Sequence, residues 1–226
     1  MVMTIDRLQQ RLRKILPGAR LEPVSLDAPR ALDLWLLNAD YPQGELTAEQ
    51  AARVMDNPLY WVFCWASGQV LARWLLEHPD WVRGRRVLDF GCGSGVVAIA
   101  AALAGADEVL ACDIDPDALD ATAANAALNG VELELVADFA DVTGTVDLLI
   151  AADVLYDRAN LGWLERFRQR ADRVLLADSR VKDFSAPGYR QLAARESCTL
   201  PDLDESVTFR DVRIYLGSGA SLPRAR

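Results

Sequence analysis

The run Val87-Leu88-Asp89-Phe90-Gly91-Cys92-Gly93-Ser94-Gly95-Val96-Val97 joins apolar β-forming residues, a carboxylate, three glycines at alternate positions and the start of a small-residue helix. A strand, a tight turn and a helix N-terminus in that order aim backbone N–H groups at a ligand, the usual way an α/β protein holds a nucleotide-like molecule. Glycine at 91, 93 and 95 lets the main chain approach where any Cβ would collide. About 20 residues on, a second strand ends Cys112-Asp113-Ile114-Asp115-Pro116, where an acid can grip a ribose diol. Pro116 suits the first position of a helix, so Asp115 reads as its N-cap and Asp113 as the ribose acid.

Two further acids fit the same crevice. Asp138, ending a third strand, can accept from an exocyclic adenine amine with Phe139 flanking the ring; a loop acid and a core aromatic fit those two residues equally well. Asp89 can hold an ammonium group or order the glycine turn. A carboxylate sits badly beside a pyrophosphate and well beside a ligand with cationic centres. This favours S-adenosylmethionine, with its ammonium and sulfonium, over NAD. The glycine spacing agrees, because the third glycine of G-x-G-x-x-G would fall at Val96.

The elements that must position these residues follow from periodicity. From Arg86 onward strands (86–90, 108–113, 132–136, 146–152, 173–178) alternate with helices (95–104, 115–129, 160–170), which implies right-handed crossovers and a parallel sheet. Two late strands, near 194–200 and 208–216, are separated by turn-forming Pro201-Asp202-Leu203-Asp204 and read as an antiparallel edge hairpin. Upstream, Ile5, Leu8, Leu12 and Ile15 mark a helix over 4–16 that Pro17-Gly18 ends. A short helix is expected over 28–37. Thr47-Ala48-Glu49-Gln50 is a capping box opening a helix to about Met55. An apolar helix follows over 70–76.

Bulk properties exclude several classes. The chain has 226 residues, is 51% hydrophobic and carries a formal charge of −9, which disfavours a phosphate backbone as partner. The cysteines at 64, 92, 112 and 198 form no C-x-x-C pair, so neither a zinc site nor a disulfide framework is expected; reduced thiols in the cytoplasm fit. No apolar stretch reaches the ~18 residues of a membrane span. His78 is the single histidine and no P-loop occurs, which removes a Ser-His-Asp hydrolase and an NTPase.

With Asp113 and Asp138, the set Val87-Leu88-Asp89-x-Gly91-x-Gly93-x-Gly95 resembles the class I S-adenosylmethionine-dependent methyltransferases. Asn57-Pro58-x-Tyr60-Trp61-x-x-x-Trp65-x-x-Gly68-Gln69-x-Leu71, together with Asp113-Ile114-Asp115-Pro116 and Asp153-Val154-Leu155-Tyr156-Asp157, resembles the seven-strand protein lysine methyltransferases, in particular the group acting on the electron transfer flavoprotein β subunit. The run Trp65-Ala66-Ser67-Gly68 departs from that group's frequent Trp-Pro-Gly-Gly, and residues 1–56 carry no family signal. The resemblance implies a Rossmann-like, doubly wound seven-stranded sheet in order 3-2-1-4-5-7-6, with the cofactor at the carboxyl edge of the first two strands. A methyltransferase domain is expected over 57–218; upstream, helical periodicity reads as an N-terminal helical lid (1–56), and 219–226 as a flexible tail. The expected form is a monomer with a protein substrate and no nucleic-acid or membrane partner.

The chemistry would be in-line displacement at a sulfonium methyl, where positioning and charge supply most of the acceleration. A lysine acceptor has a reference pKa of about 10.4 and must lose a proton before it attacks. Asp153, at the carboxyl end of the fourth strand, is the candidate orienting acid, and Tyr156 would flank the acceptor. Capping of the following loop by Asp153 and simple packing of Tyr156 are the structural alternatives. Trp61 and Trp65, read as one helical turn apart, suit a cation through their faces, or else form a core pair. Gly68 and Gln69 would border the cofactor's methionine end. The Asn-Pro-Pro-Tyr sequence that amide and nucleobase methyltransferases use after the fourth strand is absent, and a carboxylate there suits an amine. The competing readings are a small-molecule amine methyltransferase, a cofactor-binding module without catalysis, and an NAD-dependent oxidoreductase.

Overall fold

The computed structural model of the chain describes residues 5–42, 47–155, 158–202 and 206–219. The N-terminal part is α1 (Ile5–Ile15), β1 (Leu21–Ser25), β2 (Asp33–Leu37) and α2 (Ala48–Asp56). In α1, Leu8 and Leu12, one turn apart, are the buried stripe. At α2 the expected capping box is present: Thr47 Oγ1 accepts from Gln50 N and Gln50 Oε1 accepts from Thr47 N.

Residues 28–37 do not form the expected helix. Leu32, Leu34 and Leu36 are fully buried at alternate positions, the period of a strand, and β2 pairs antiparallel with β1 from Leu21↔Leu37 to Ser25↔Asp33. The N-terminal extension is therefore mixed rather than helical.

Downstream the elements are α3 (Ala66–Glu77), β3 (Arg86–Phe90), α4 (Val96–Leu103), β4 (Glu108–Cys112), α5 (Pro116–Leu128), β5 (Glu134–Val136), β6 (Val146–Ala152), α6 (Trp163–Arg170), β7 (Ala171–Asp178), β8 (Tyr189–Glu196) and β9 (Asp211–Ser218). The seven-stranded sheet runs β5-β4-β3-β6-β7-β9-β8. Counted from β3 as first, this is the order 3-2-1-4-5-7-6. Pairings among the first five strands along the sheet are parallel, and β9 runs antiparallel to both β7 and β8. Strand β8 lies at 189–196 rather than 194–200, because its edge position leaves it without an apolar alternation. Residues beyond it instead meet Cys64, which forms a bridge with Leu200.

The central strands bury both faces. Val87, Ile150 and Leu175 pack on one side under α3 and α4; Leu88, Leu149 and Val174 pack on the other with Phe139 and Phe167. That double burial is why these strands read as continuous apolar runs rather than alternating ones.

Trp61 and Trp65 are not on one helical turn. Residues 60–62 form a 3-10 turn, Phe63 is extended, and α3 begins at Ala66. Trp61 is 1% exposed, in a third core cluster that joins Leu8 and Leu12 of α1 to Ala118 and Ala121 of α5. It is a structural residue, not part of the ligand crevice. Replacing Trp61 with Ala should cost about 3–5 kcal/mol in denaturant unfolding. A variant of unchanged stability but weakened ligand binding would return Trp61 to the site.

Candidate active site

Strand β3 delivers its chain end to the glycine turn, and the turn is held from several sides. Gly95, at φ 79°, N-caps α4; a Cβ there would lie 2.8 Å from Thr122 Cγ2 and 3.1 Å from Thr122 Cα. Only glycine lets the turn press this closely on α5. Gly93 has φ 53° and no heavy atom within 4 Å of where its Cβ would be. One side of the turn is thus packed on protein and the other leaves room for a ligand against bare backbone.

Asp89 is 2% exposed, and its Oδ2 accepts from Ala98 N at 3.0 Å, inside the first turn of α4. The geometry therefore favours the turn-ordering role over a direct grip on an ammonium. Burial pushes this carboxyl up to about 7, with the charge of Asp113 adding to the shift. Asp113 Oδ2 accepts from Gly93 N and its Oδ1 from Asp115 N, both at 3.0 Å. Burial also raises the Asp113 pKa, against the pull of those amides. Each oxygen keeps a lone pair for an outside donor. Asp115 N-caps α5, accepting from Asp117 N at 2.9 Å with Pro116 at the first helical position, as expected.

Between these acids, Ile114 is 90% exposed, a large aliphatic side chain turned to solvent at the mouth of the crevice. The signal available in the sequence was an isoleucine between Asp113 and the N-cap Asp115. Asp138 is exposed at the end of β5, where its Oδ1 accepts from Ala140 N at 2.8 Å. Phe139 does not flank a ligand ring: it is 4% exposed, edge-to-face with Phe90 and Trp163 at 5.5 and 5.4 Å. Its ring is core, as its apolar bulk under β3 requires.

Across the crevice, Asp153 follows β6, the strand paired with β3 on the side away from β4. Sheet order reverses between these strands, which opens the crevice at the carboxyl edge. The two loops touch: a Cβ on Gly91 would be 3.4 Å from Val154 Cγ1. Asp153 has φ 50°, left-handed for a residue with a side chain. Its Oδ1 accepts from Ser67 Oγ (2.7 Å), Ser179 Oγ (2.9 Å) and Ser179 N (3.1 Å). Among the described residues its Oδ2 accepts only from Ser67 N, at 3.3 Å. So Asp153 caps the start of α3 rather than the loop after it, and Oδ2 retains acceptor capacity. Ser67 and Ser179 were missed because nothing local marks them; the fold brings them to Asp153. Tyr156 lies outside the described residues.

The remaining expected site residues serve neighbouring structure. Trp65 precedes α3, its Nε1 donating to Tyr60 O at 3.0 Å. Its ring lies edge-on to Tyr60 and Phe63, with the Arg180 guanidinium over it. Gly68 lets α3 close on the first residue of α4, where its Cβ would be 3.0 Å from Val96 Cγ1. Gln69 Nε2 donates to Cys64 O at 3.0 Å and to Cys198 O, so its amide ties chain segments together.

Residues 74–158 match the family described as ribosomal protein L11 methyltransferase (PrmA). The ribosomal protein L11 methylase of Lactobacillus delbrueckii superposes with a TM-score of 0.52 at 24% identity, covering 68% of this chain and 79% of that one. The magnesium protoporphyrin IX methyltransferase of Synechocystis, solved with bound SAH, gives a TM-score of 0.51 at 19% identity, covering 78% and 90%. The chain has the class I S-adenosylmethionine-dependent methyltransferase fold. Within that fold, the electron transfer flavoprotein β subunit lysine methyltransferase of Xenopus laevis is 41% identical over 63% of this chain and 62% of its own length. The zebrafish (Danio rerio) relative is 45% identical over 58% and 54%. The chain therefore spans little more than half to three-fifths of the curated relatives it matches. Among the described residues no helix is long and apolar enough to cross a membrane.

Within this methyltransferase fold, Asp89 makes stability depend on pH with a definite sign. Its raised pKa means that the folded state holds the proton more tightly than the unfolded chain. Its contribution is present below about pH 4 and fades as pH climbs through about 7. Asn at position 89 keeps an oxygen for Ala98 N without ionising. Asp89→Asn should thus gain stability relative to the parent between pH 4 and pH 8, at about 1.4 kcal/mol per pKa unit. Paired urea titrations check this; a difference that stays flat with pH would contradict the buried, perturbed acid.

Proposed function

We propose that the chain is an S-adenosylmethionine-dependent methyltransferase acting on a lysine ε-amine of a protein, and that the electron transfer flavoprotein β subunit is the first substrate to test. The observation that carries this reading is Asp153: a carboxylate beside the glycine turn, held by Ser67 and Ser179, with one oxygen still able to accept. The names of the curated relatives support the same substrate class.

The cofactor fits the residues present. Gly93 leaves an open backbone surface, Asp113 offers lone pairs to a ribose diol, Ile114 offers an apolar wall to a flat base, and Asp138 offers an exposed acceptor. When bound, S-adenosylmethionine supplies an activated methyl on a sulfonium. Asp89 acts indirectly, by anchoring the first turn of α4 under that surface.

Asp153 Oδ2 would take an N–H of the acceptor amine and so aim its lone pair at the methyl. A carboxylate also favours the ammonium form, which opposes deprotonation. Positive charge grows on nitrogen during transfer, however, and the same oxygen stabilises it there, so the carboxylate's net effect is on the transition state. Ser67 and Ser179 keep the carboxylate from rotating away.

The test is incubation with labelled S-adenosylmethionine and either the purified flavoprotein or a cell extract, followed by mass spectrometry of the labelled band. Label on a protein lysine is expected; label confined to low-mass material would favour a small amine and reject the protein substrate. Asp153→Asn should still bind the cofactor in calorimetry and lose transfer by about 100-fold or more. Undiminished transfer in that variant would remove the orienting role.

A further inference from the structure

Strand β2 exposes an edge to α5, and two asparagines, Asn125 within α5 and Asn129 at its C-cap, close it. Asn129 Oδ1 accepts from Asp33 N at 2.9 Å and Asn125 Oδ1 accepts from Trp35 N at 2.7 Å. The two N–H groups are two residues apart on a strand and the two amides four apart on a helix. Those spacings, about 6.6 Å and about 6 Å, nearly match, so one helix face serves as the missing neighbour of the strand. Asn129 completes its side of the clasp by donating from Nδ2 to Asp33 O at 2.6 Å.

Asn125 does something else with its second half. Its Nδ2 donates to Ser94 O at 2.8 Å, in the glycine turn. One turn earlier, Thr122 Oγ1 reaches Gly93 O at 3.2 Å and Cys92 Sγ at 3.3 Å. Asn125 and Thr122 are both fully buried. The amide orientation is forced, because Trp35 offers a donor and Ser94 an acceptor. A single side chain therefore joins the N-terminal strand pair to the backbone that faces the ligand.

We infer that Asn125 is a positioning residue for cofactor binding, and that the N-terminal strand pair braces the glycine turn through it. Held from behind at Gly93 O and Ser94 O, the turn keeps those two carbonyls directed toward α5 and away from the open side at Gly93. This rests on the reading of the turn as the S-adenosylmethionine site. Coupling of this kind is reciprocal: whatever tightens the turn on binding must also tighten the strand.

Three variants separate this from general support of the fold. Asn125→Asp keeps an acceptor for Trp35 N and sets a carboxylate oxygen against Ser94 O. Asn129→Leu breaks the strand clasp and leaves the turn alone. Thr122→Val removes the hydroxyl under Gly93 at constant shape. In calorimetry with S-adenosylmethionine, Asn125→Asp and Thr122→Val should each weaken binding by about tenfold, while Asn129→Leu stays within about twofold of the parent. Hydrogen exchange of the amides of 91–96 should quicken in the first two and not in the third. In the unmutated protein, saturating S-adenosylmethionine should slow exchange of the Trp35 amide and leave that of Phe167 in α6 unchanged, a result that needs no variant to fold. Equal binding by Asn125→Asp and parent, an equal loss in Asn129→Leu, or an indifferent Trp35 amide would each overturn the inference. Failure of the unmutated protein to bind S-adenosylmethionine at all would instead overturn the cofactor reading on which it stands.

Discussion

The backbone between β3 and α4 turns tightly against α5, and at Gly95 there is no room for a side chain. One hydrogen bond closes the turn on itself, from Gly95 N–H to Cys92 O, and most of its other polar groups are held by residues elsewhere. Gly91 and Cys92 N–H donate to Cys112 O, Gly93 N–H to Asp113, and Ala98 N–H to Asp89, while Gly93 and Ser94 carbonyls accept from Thr122 and Asn125. Each such group, left buried and unpaired, would cost about 1–3 kcal/mol. The turn is thus a surface of presented backbone whose rigidity comes from β4, α5 and, through α5, the N-terminal strands.

The sheet order puts the loop after β6 opposite that surface. With β6 beside β3, the loop carrying Asp153 meets the glycine turn at Val154. Asp153 adopts a left-handed backbone that costs about 1 kcal/mol or more for a residue with a Cβ, and four hydrogen bonds from Ser67 and Ser179 offset it. The same bonds lock the start of α3 and the end of β7 to β6. Under the proposed reading an orienting acid must not rotate, and the bonds that hold Asp153 also join these elements of the fold. Asp178, next to Ser179 and raised in pKa mainly by burial, takes the amides of Arg180 and Val181 and shapes the loop that leaves β7.

Much of this was legible before any coordinates. The glycine run, the N-cap at Asp115, the capping box at Thr47 and the alternation of central strands and helices are local patterns, enforced within a few residues by sterics and hydrogen bonding. What was misread depended on partners far away in the chain. Trp61 and Trp65 have helical spacing, yet the bridge from Cys64 to Leu200 straightens the segment between them. Leu32, Leu34 and Leu36 alternate as a strand should, but a short strand pair needs an outside partner for its edge, and that partner, α5, lies about ninety residues downstream. Phe139 could stack on a ligand or on the core with equal plausibility until Phe90 and Trp163 were seen around it.

By itself the amino-acid order determined that a carboxyl-edge crevice exists, that glycines at 91, 93 and 95 bare its backbone, and that acids at 89, 113 and 153 stand near it. Turn chemistry and strand periodicity are properties of neighbouring residues, so they survive in one dimension. Which of those acids stays accessible was decided only in three dimensions. Asp89 is enclosed under α4, Asp113 is shared between the turn and α5, and Asp153 keeps one oxygen partly open after Ser67 and Ser179 have taken the rest. Burial and hydrogen-bond saturation are sums over residues distant in the chain, and no local pattern encodes such a sum.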